Sequence, residues 1–564
     1  MRVGDPLRKA FGFVRSQFAP QGLPLAIAAI WFALGLAVVL WIWGLDPLVF
    51  QSPDEAVVRY AASLIRKRQG PFLSLPFADP EDLLHPRSWI SIGNRATPTY
   101  APVSFYVYGW LTRLRGGVGL FLIAALPASA LGAFAAGTAR LLPPSRRRWL
   151  AILAPVMPFP TVYWLLHPWI NASPMLIGLC WSVFCWATWR ESGRTSWLAA
   201  TLLCLGYAAA VRPDLAAYLF AVALLLSVAA SPKQWRLIAG LVCGSGVLAL
   251  SVNLILNWVI TGHPLTAAYQ MQIDRQWGPE PAHTLPGLGM LRSLLLPMGI
   301  PAWSIGSEAF LKYWLKMGPI AALLVGQLLL VPLLMKGSRL ARALNVGAVL
   351  LIVIFMISRM HDGVFGTHTS LGEVHHSVPR YLAPVYLMAA LPPLLFVGRS
   401  SKGWVVAVGS VLIFALSASG CYEIAVRGQG SLRFVHRFVH DKQAALVQLR
   451  RFIPAGATVY TEKEDKWIWS GWRVWMVGEP EATAVSIERA LAANVELFVV
   501  EPKRTALFKQ LRATLRRRRI SLVRIDAWRG VYRVDPPAPP EPEPVLVPEP
   551  EPLPQRAPEP LPEP

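Results

Sequence analysis

The sequence predicts a mainly α-helical protein that crosses a membrane about eleven times, followed by a small α/β domain and a disordered Pro/Glu tail. Three observations predict this. Of 564 residues, 54% are hydrophobic and only 15% charged, whereas soluble domains carry roughly a quarter charged residues. The mean hydropathy is +0.43, so a water-covered surface cannot be assembled for a body of this size. Apolar runs of about 20 residues, the length that spans a bilayer, recur along the chain, and basic residues gather between alternate runs.

The runs fall near 23–45, 118–140, 150–166, 172–189, 197–211, 214–230, 236–258, 319–335, 343–359, 381–397 and 403–422. The first lacks a small-residue cleavage site behind it and reads as a signal anchor. The formal charge of +22 would suggest a nucleic-acid partner in a soluble chain; here it sets orientation instead. Arg2, Arg8, Lys9 and Arg15 precede the first run. Later clusters are Arg146 to Arg148, Arg190 with Arg194, Lys233 with Arg236, Lys336 with Arg339 and Arg342, and Arg399 with Lys402. Eleven spans put all of them on the side of the N-terminus, which positive charge marks as cytoplasmic. The expected organisation is a basic cytoplasmic segment 1–22, a transmembrane domain 23–425 with a first external loop 46–117, an extracytoplasmic α/β domain 426–535, and a tail 536–564. The five cysteines lie in or beside apolar runs without metal spacing, so no disulfide framework is implied.

Polar groups therefore concentrate outside, over nearly charge-free helices. A channel or carrier keeps ionisable groups along its helices, so the pattern favours a site built by loops at the outer face. In loop 46–117, Ser52-Pro53-Asp54-Glu55 opens a segment whose Val57, Val58, Ala61, Leu64 and Ile65 recur at helical spacing. That predicts a short amphipathic helix lying on the membrane, with a second apolar segment, 100–114, at the interface. Two readings of Asp54 and Glu55 stand together: a capping box begun by Ser52, and an acid pair placed to act as a base.

These residues carry a resemblance. A span followed by an external loop opening with Asp54-Glu55, the turn Arg212-Pro213-Asp214 between adjacent spans, and Arg380-Tyr381-Leu382-Ala383-Pro384 at the mouth of a late span resemble the GT-C integral-membrane glycosyltransferases. Within that class they resemble the families of protein O-mannosyltransferases and lipid A aminoarabinose transferases. The resemblance covers roughly residues 20–425. It implies transfer of a sugar, with inversion, from a polyprenyl-phosphate donor to a lipid, cell-wall glycan or protein acceptor at the outer face of a bacterial plasma (inner) membrane. It implies Asp54 as general base, Glu55 orienting the acceptor or supporting Asp54, and basic groups stabilising the leaving phosphate.

The phosphate-ligand candidates are Arg59, Arg95, Arg212, Arg359, Arg380 and His376. Three of them have a plainer alternative: Arg59 pairs with Glu55 one turn away, Arg380 snorkels to the interface, and Arg212 pairs with Asp214. Loop 360–380 holds His361, Asp362, His368, Glu373, His375 and His376, but their spacing fits no standard site. No cofactor is expected, a divalent metal remaining the alternative. Aromatics in loop 259–318, including Tyr269, Trp277 and Trp303, suit the interfacial belt. Runs ATVYTE, VELFVVE, ISLVRIDAW and GVYRV with helical stretches 484–493 and 502–518 predict the α/β domain. The different-class alternatives are a transporter or flippase of lipid-linked intermediates and a non-catalytic scaffold.

Overall fold

The computed structural model of the protein describes residues 22–79, 82–99, 102–144, 146–266, 338–358, 377–427, 430–501, 505–526 and 530–536, with residues 268 and 271. The expected span 319–335, residues 360–376 of loop 360–380 and most of loop 259–318 lie outside the described residues, as does nearly all of the tail.

Helix α1 (Leu23–Trp43) is apolar on every side, as a span must be where no water can satisfy side chains. Beyond it, α2 (Pro53–Arg66) leads to three short antiparallel strands, β1 (Leu73–Ser74), β2 (Trp89–Ile92) and β3 (Arg95–Pro98), in the order β1-β3-β2. Helix α3 (Val103–Leu111) is too short to cross a bilayer. Helix α4 (Val118–Leu141) then packs along α1. The two backbones come close because Gly132 faces the chain at Ala28, where an added Cβ would stand 2.7 Å from a carbonyl oxygen. Small residues at helix contacts are what allow such approach inside a membrane.

The expected span 150–166 is not one helix. A 3₁₀ stretch, 146–153, gives way to the seven-residue α5 (Phe159–Leu165). Pro155, Pro158 and Pro160 remove amide donors and block an unbroken helix there. Next come α6 (Ala172–Ser192), α7 (Thr195–Val211), α8 (Ala216–Ala230), α9 (Trp235–Thr261) and α10 (Arg339–Ser358). The late span 381–397 starts earlier than expected and is divided into α11 (Ser377–Ala389) and α12 (Leu391–Arg399), where Pro392 and Pro393 restart the helix. Helix α13 (Gly403–Ala425) is the last long apolar one among the described residues. Seven helices among the described residues are long and apolar enough to cross a membrane; α7 and α8 are shorter apolar helices.

The amphipathic helix expected on the membrane is α2, and its apolar face turns into the protein: Val57, Val58, Ala61, Leu64 and Ile65 are all buried. It packs on α3, where Gly109 gives room for Ile65. After α13, an amphipathic helix α14 (Leu432–Leu449) leads to β4 (Thr458–Thr461), α15 (Asp465–Ile468), β5 (Arg473–Met476), α16 (Pro480–Ala492), β6 (Leu497–Val500), α17 (Ala506–Arg517), β7 (Ser521–Asp526) and β8 (Val531–Asp535). The sheet runs β5-β4-β6-β8-β7, with β4 parallel to both neighbours and β8 antiparallel to both of its own. Tyr460, Trp475, Ile487, Leu511 and Tyr532 fill its core.

Candidate functional site

The start of α2 divides its two acids between two tasks. Ser52 and Glu55 form the capping box: the Ser52 amide donates to Glu55 Oε2 at 3.2 Å, and Pro53 stands at the first helical position. Asp54 points elsewhere. Its Oδ2 accepts from Arg380 Nη1 at 2.5 Å and its Oδ1 from Ser88 Oγ at 3.2 Å. Asp54 is 9% and Arg380 6% exposed, so this is a buried ion pair joining segment 46–117 to the mouth of a late span. Removing one partner of such a pair leaves an uncompensated charge, at a cost of about 3–5 kcal/mol.

Arg380 is the fourth residue of α11, and α11 is pinned to α5 by Thr161 Oγ1 donating to the Ala383 carbonyl at 2.7 Å. The short, proline-started α5 places Trp164 beneath the arginine: the guanidinium carbon lies 5.6 Å from the Trp164 ring centre and 5.3 Å from that of Tyr381. Arg212, at the end of α7, lies 4.9 Å from the same Tyr381 ring. Two buried arginines thus share one aromatic ring, a cation–π arrangement that holds guanidinium groups with little water.

Glu55 is 1% exposed; its Oε1 has no hydrogen-bond partner among the described residues. Burial, aided by the neighbouring charge of Asp54, raises its carboxyl to about 8, against the amide of Ser52 and the ammonium of Lys466, which act the other way. Glu55 is therefore mostly protonated at neutral pH. His167 lies in the turn after α5, with Nδ1 against the Tyr163 carbonyl at 2.7 Å and its ring packed on Trp43, Tyr163 and Trp164. Its burial lowers the imidazole to about 4, so it is a neutral ring in this aromatic floor.

The structure brings Asp54, Glu55, Arg380 and Arg212 toward one region, and sorts the other candidates away from it. Arg59 does not pair with Glu55. Its Nη2 donates to Asp46 Oδ1 at 2.6 Å and its guanidinium covers the Trp169 ring at 5.2 Å, because the Glu55 carboxylate is already turned back to Ser52. Arg95 is exposed and stacks on Phe72 at 4.5 Å. It opposes Ile92 at the hairpin turn, while Ser88 adjoins the other end of β2. Three residues of strand, about 10 Å, separate those ends. Arg359 and His376 lie outside the described residues.

Among the described residues, one group could offer ligands to a metal: Asp79, Asp82 and His85, whose donor atoms lie within 4.8 Å of one another. Its acceptors are used by the loop itself. Asp79 accepts from the amides of Leu83 and Leu84 at 3.0 and 2.8 Å and from Ser91 Oγ at 2.6 Å; Asp82 Oδ1 accepts from the Ser91 amide at 2.6 Å and lies 2.9 Å from His85 Nε2. That donor set fits a loop latch better than a cation site.

Sequence reasoning missed Ser88, Trp164 and His167. Tyr381 stood in the quoted motif without a role. Ser88 has a backbone φ of 63°, a left-handed conformation that costs a side-chain-bearing residue on the order of 1 kcal/mol and marks sites where surrounding contacts dictate geometry.

The fold and this site define a polytopic membrane protein with a buried acid–arginine pair at the mouth of one span. No family model and no curated protein matches the chain. Among solved structures it is similar to ArnT from Cupriavidus metallidurans in the apo state, at 14% identity over 92% of this chain and 98% of that one, with a TM-score of 0.38.

Proposed function

We propose that the protein is an inverting glycosyltransferase that moves a sugar from a polyprenyl-phosphate donor to a lipid, cell-wall glycan or protein acceptor at the outer face of the plasma membrane, with its N-terminus cytoplasmic. The observation that carries this reading is the Asp54–Arg380 pair, with Arg212 on the shared Tyr381 ring. An acid held by an arginine beside a second arginine is suited to a reaction in which an anion leaves while a proton is removed.

In this reading the donor phosphate competes for Arg380 and Arg212, and the guanidinium forks suit phosphate oxygens. Asp54, released from its arginine, takes the proton of the acceptor hydroxyl as that oxygen attacks C1 of the sugar. The bond between C1 and the phosphate oxygen breaks on the opposite face, and its electron pair stays on the phosphate. Glu55, protonated and with one oxygen to spare, donates a hydrogen bond to the acceptor or the sugar.

The test is lipid-linked glycan profiling of the native host carrying the wild-type gene or Asp54→Asn, with both proteins folded and equally expressed. General-base removal costs about 10²–10⁴-fold in rate. Loss of a glycosylated product with build-up of a polyprenyl-phosphate sugar is expected, and the lost product identifies the acceptor. An unchanged profile overturns the reading and leaves a transporter of lipid-linked intermediates or a scaffold.

A further inference from the structure

We infer that the C-terminal domain positions the base through a latch of Asp465, Arg87 and Ser88, an inference that rests on Asp54 being that base. Asp465 is 2% exposed and opens α15. Its Oδ2 accepts the Arg87 backbone amide at 3.1 Å, while its Oδ1 accepts Arg87 Nε at 2.9 Å and Nη2 at 2.5 Å; Nη2 also donates to the Lys463 carbonyl at 3.0 Å. Arg87 is thus gripped by side chain and backbone at once.

The next residue is Ser88. Its carbonyl accepts from the Thr99 amide at 3.1 Å and from Thr99 Oγ1 at 2.9 Å. Anchored on both sides, Ser88 is held at φ 63°, and its hydroxyl donates to Asp54. Stitching the two domains together needs neither a left-handed serine nor a hydroxyl aimed at a carboxylate. The strain is accounted for if the contact it maintains is the one to Asp54.

The same α15 grips the other side of the base. The Lys466 carbonyl accepts the Phe50 amide at 3.2 Å, on the segment that leads into α2. Trp469 packs against Phe50 at 6.1 Å and Tyr60 at 5.1 Å. One short helix of the C-terminal domain therefore fixes both the chain entering α2 and the residue that bonds Asp54. A hydroxyl donated to a carboxylate favours its ionised form and sets its orientation. Asp465, Arg87 and Ser88 are positioning residues; Asp54 alone takes the proton.

The test uses the full chain in lipid nanodiscs, with membrane extract of the native host supplying donor and acceptor. Ser88→Ala keeps the backbone strain and removes only the hydroxyl. Asp465→Ala releases Arg87, whose side chain is 32% exposed and so can be solvated. Each single variant is expected to slow transfer about tenfold and to move the acid limb of the pH–rate profile upward, because the base loses a stabilising donor. The double variant is expected to be no slower than the slower single. Multiplying effects, or a loss of folded protein with an unmoved acid limb, overturns the latch. Hydrogen exchange of the amides at 52–58 supplies a readout independent of activity, expected to quicken in Asp465→Ala. If Asp54→Asn leaves transfer intact, the base reading falls by itself; unchanged exchange at 52–58 overturns the latch in either case.

Discussion

Two carboxylate clusters sit in the same segment, 46–117, and are built differently. Asp79 and Asp82 receive hydrogen bonds from Leu83, Leu84, His85 and Ser91, all within about a dozen residues. Asp54 is held by Arg380, 326 positions away, and by Ser88, 34 positions away. An acid whose partners are its own neighbours is committed to shaping its loop. An acid held by a remote arginine joins two parts of the chain, and a phosphate can compete for that arginine. The contrast separates a structural cluster from the proposed functional one among residues of the same type.

Arg380→Ala breaks the functional pair and should have the largest effect. Asp54 is left buried without its arginine, costing about 3–5 kcal/mol, and transfer falls by about 100-fold or more. Combining it with Asp54→Asn should return most of the lost stability without returning transfer. Thermal unfolding in detergent beside product analysis reads both, and a double variant as unstable as Arg380→Ala would contradict the pairing.

Asp79→Ala should do the reverse. Orphaning the Leu83 and Leu84 amides and the Ser91 hydroxyl costs about 2–4 kcal/mol, while turnover per folded molecule stays within about threefold. Hydrogen exchange over residues 82–92, compared with turnover of the folded fraction, decides this. A loss of turnover as large as that of Arg380→Ala would erase the distinction between the clusters.

Glu55→Gln sharpens it through pH. The carboxyl stands at about 8 in the folded protein against 4.5 when exposed. Between those values the native state keeps a proton that the unfolded chain has released, so wild-type stability falls as pH rises through that window. Glutamine has no proton to lose there. The variant should gain about 1–2 kcal/mol on the wild type between pH 6 and pH 8, read as diverging unfolding midpoints; parallel curves would mean that Glu55 is not held protonated.

The long apolar helices were legible because bilayer crossing demands a run of fixed length, and α1, α4, α6 and α13 lie where such runs fall. The stretch 150–166 misled because mean hydropathy counts composition, while Pro155, Pro158 and Pro160 act through missing amides. At the site, Asp54 and Arg380 were each legible from local patterns, but their pairing was not. For Arg59, helical spacing offered Glu55 as the plainer alternative to a phosphate, yet that carboxylate faces the helix start and Arg59 turns to Asp46. Ser88 left no trace in sequence: its role depends on a backbone angle and on Asp465, which no periodicity connects to it.

Asp465 follows Arg87 by 378 positions. At the usual pace of synthesis, about 5–20 residues per second, the grip on Arg87 is unavailable for roughly 20–75 s after that residue is made. The acid and its serine thus enter the membrane environment long before the helix that fixes them exists. A chain cut short before α15 would carry Asp54 and Arg380 without their holder, so the order of manufacture itself delays competence until α15 has been made.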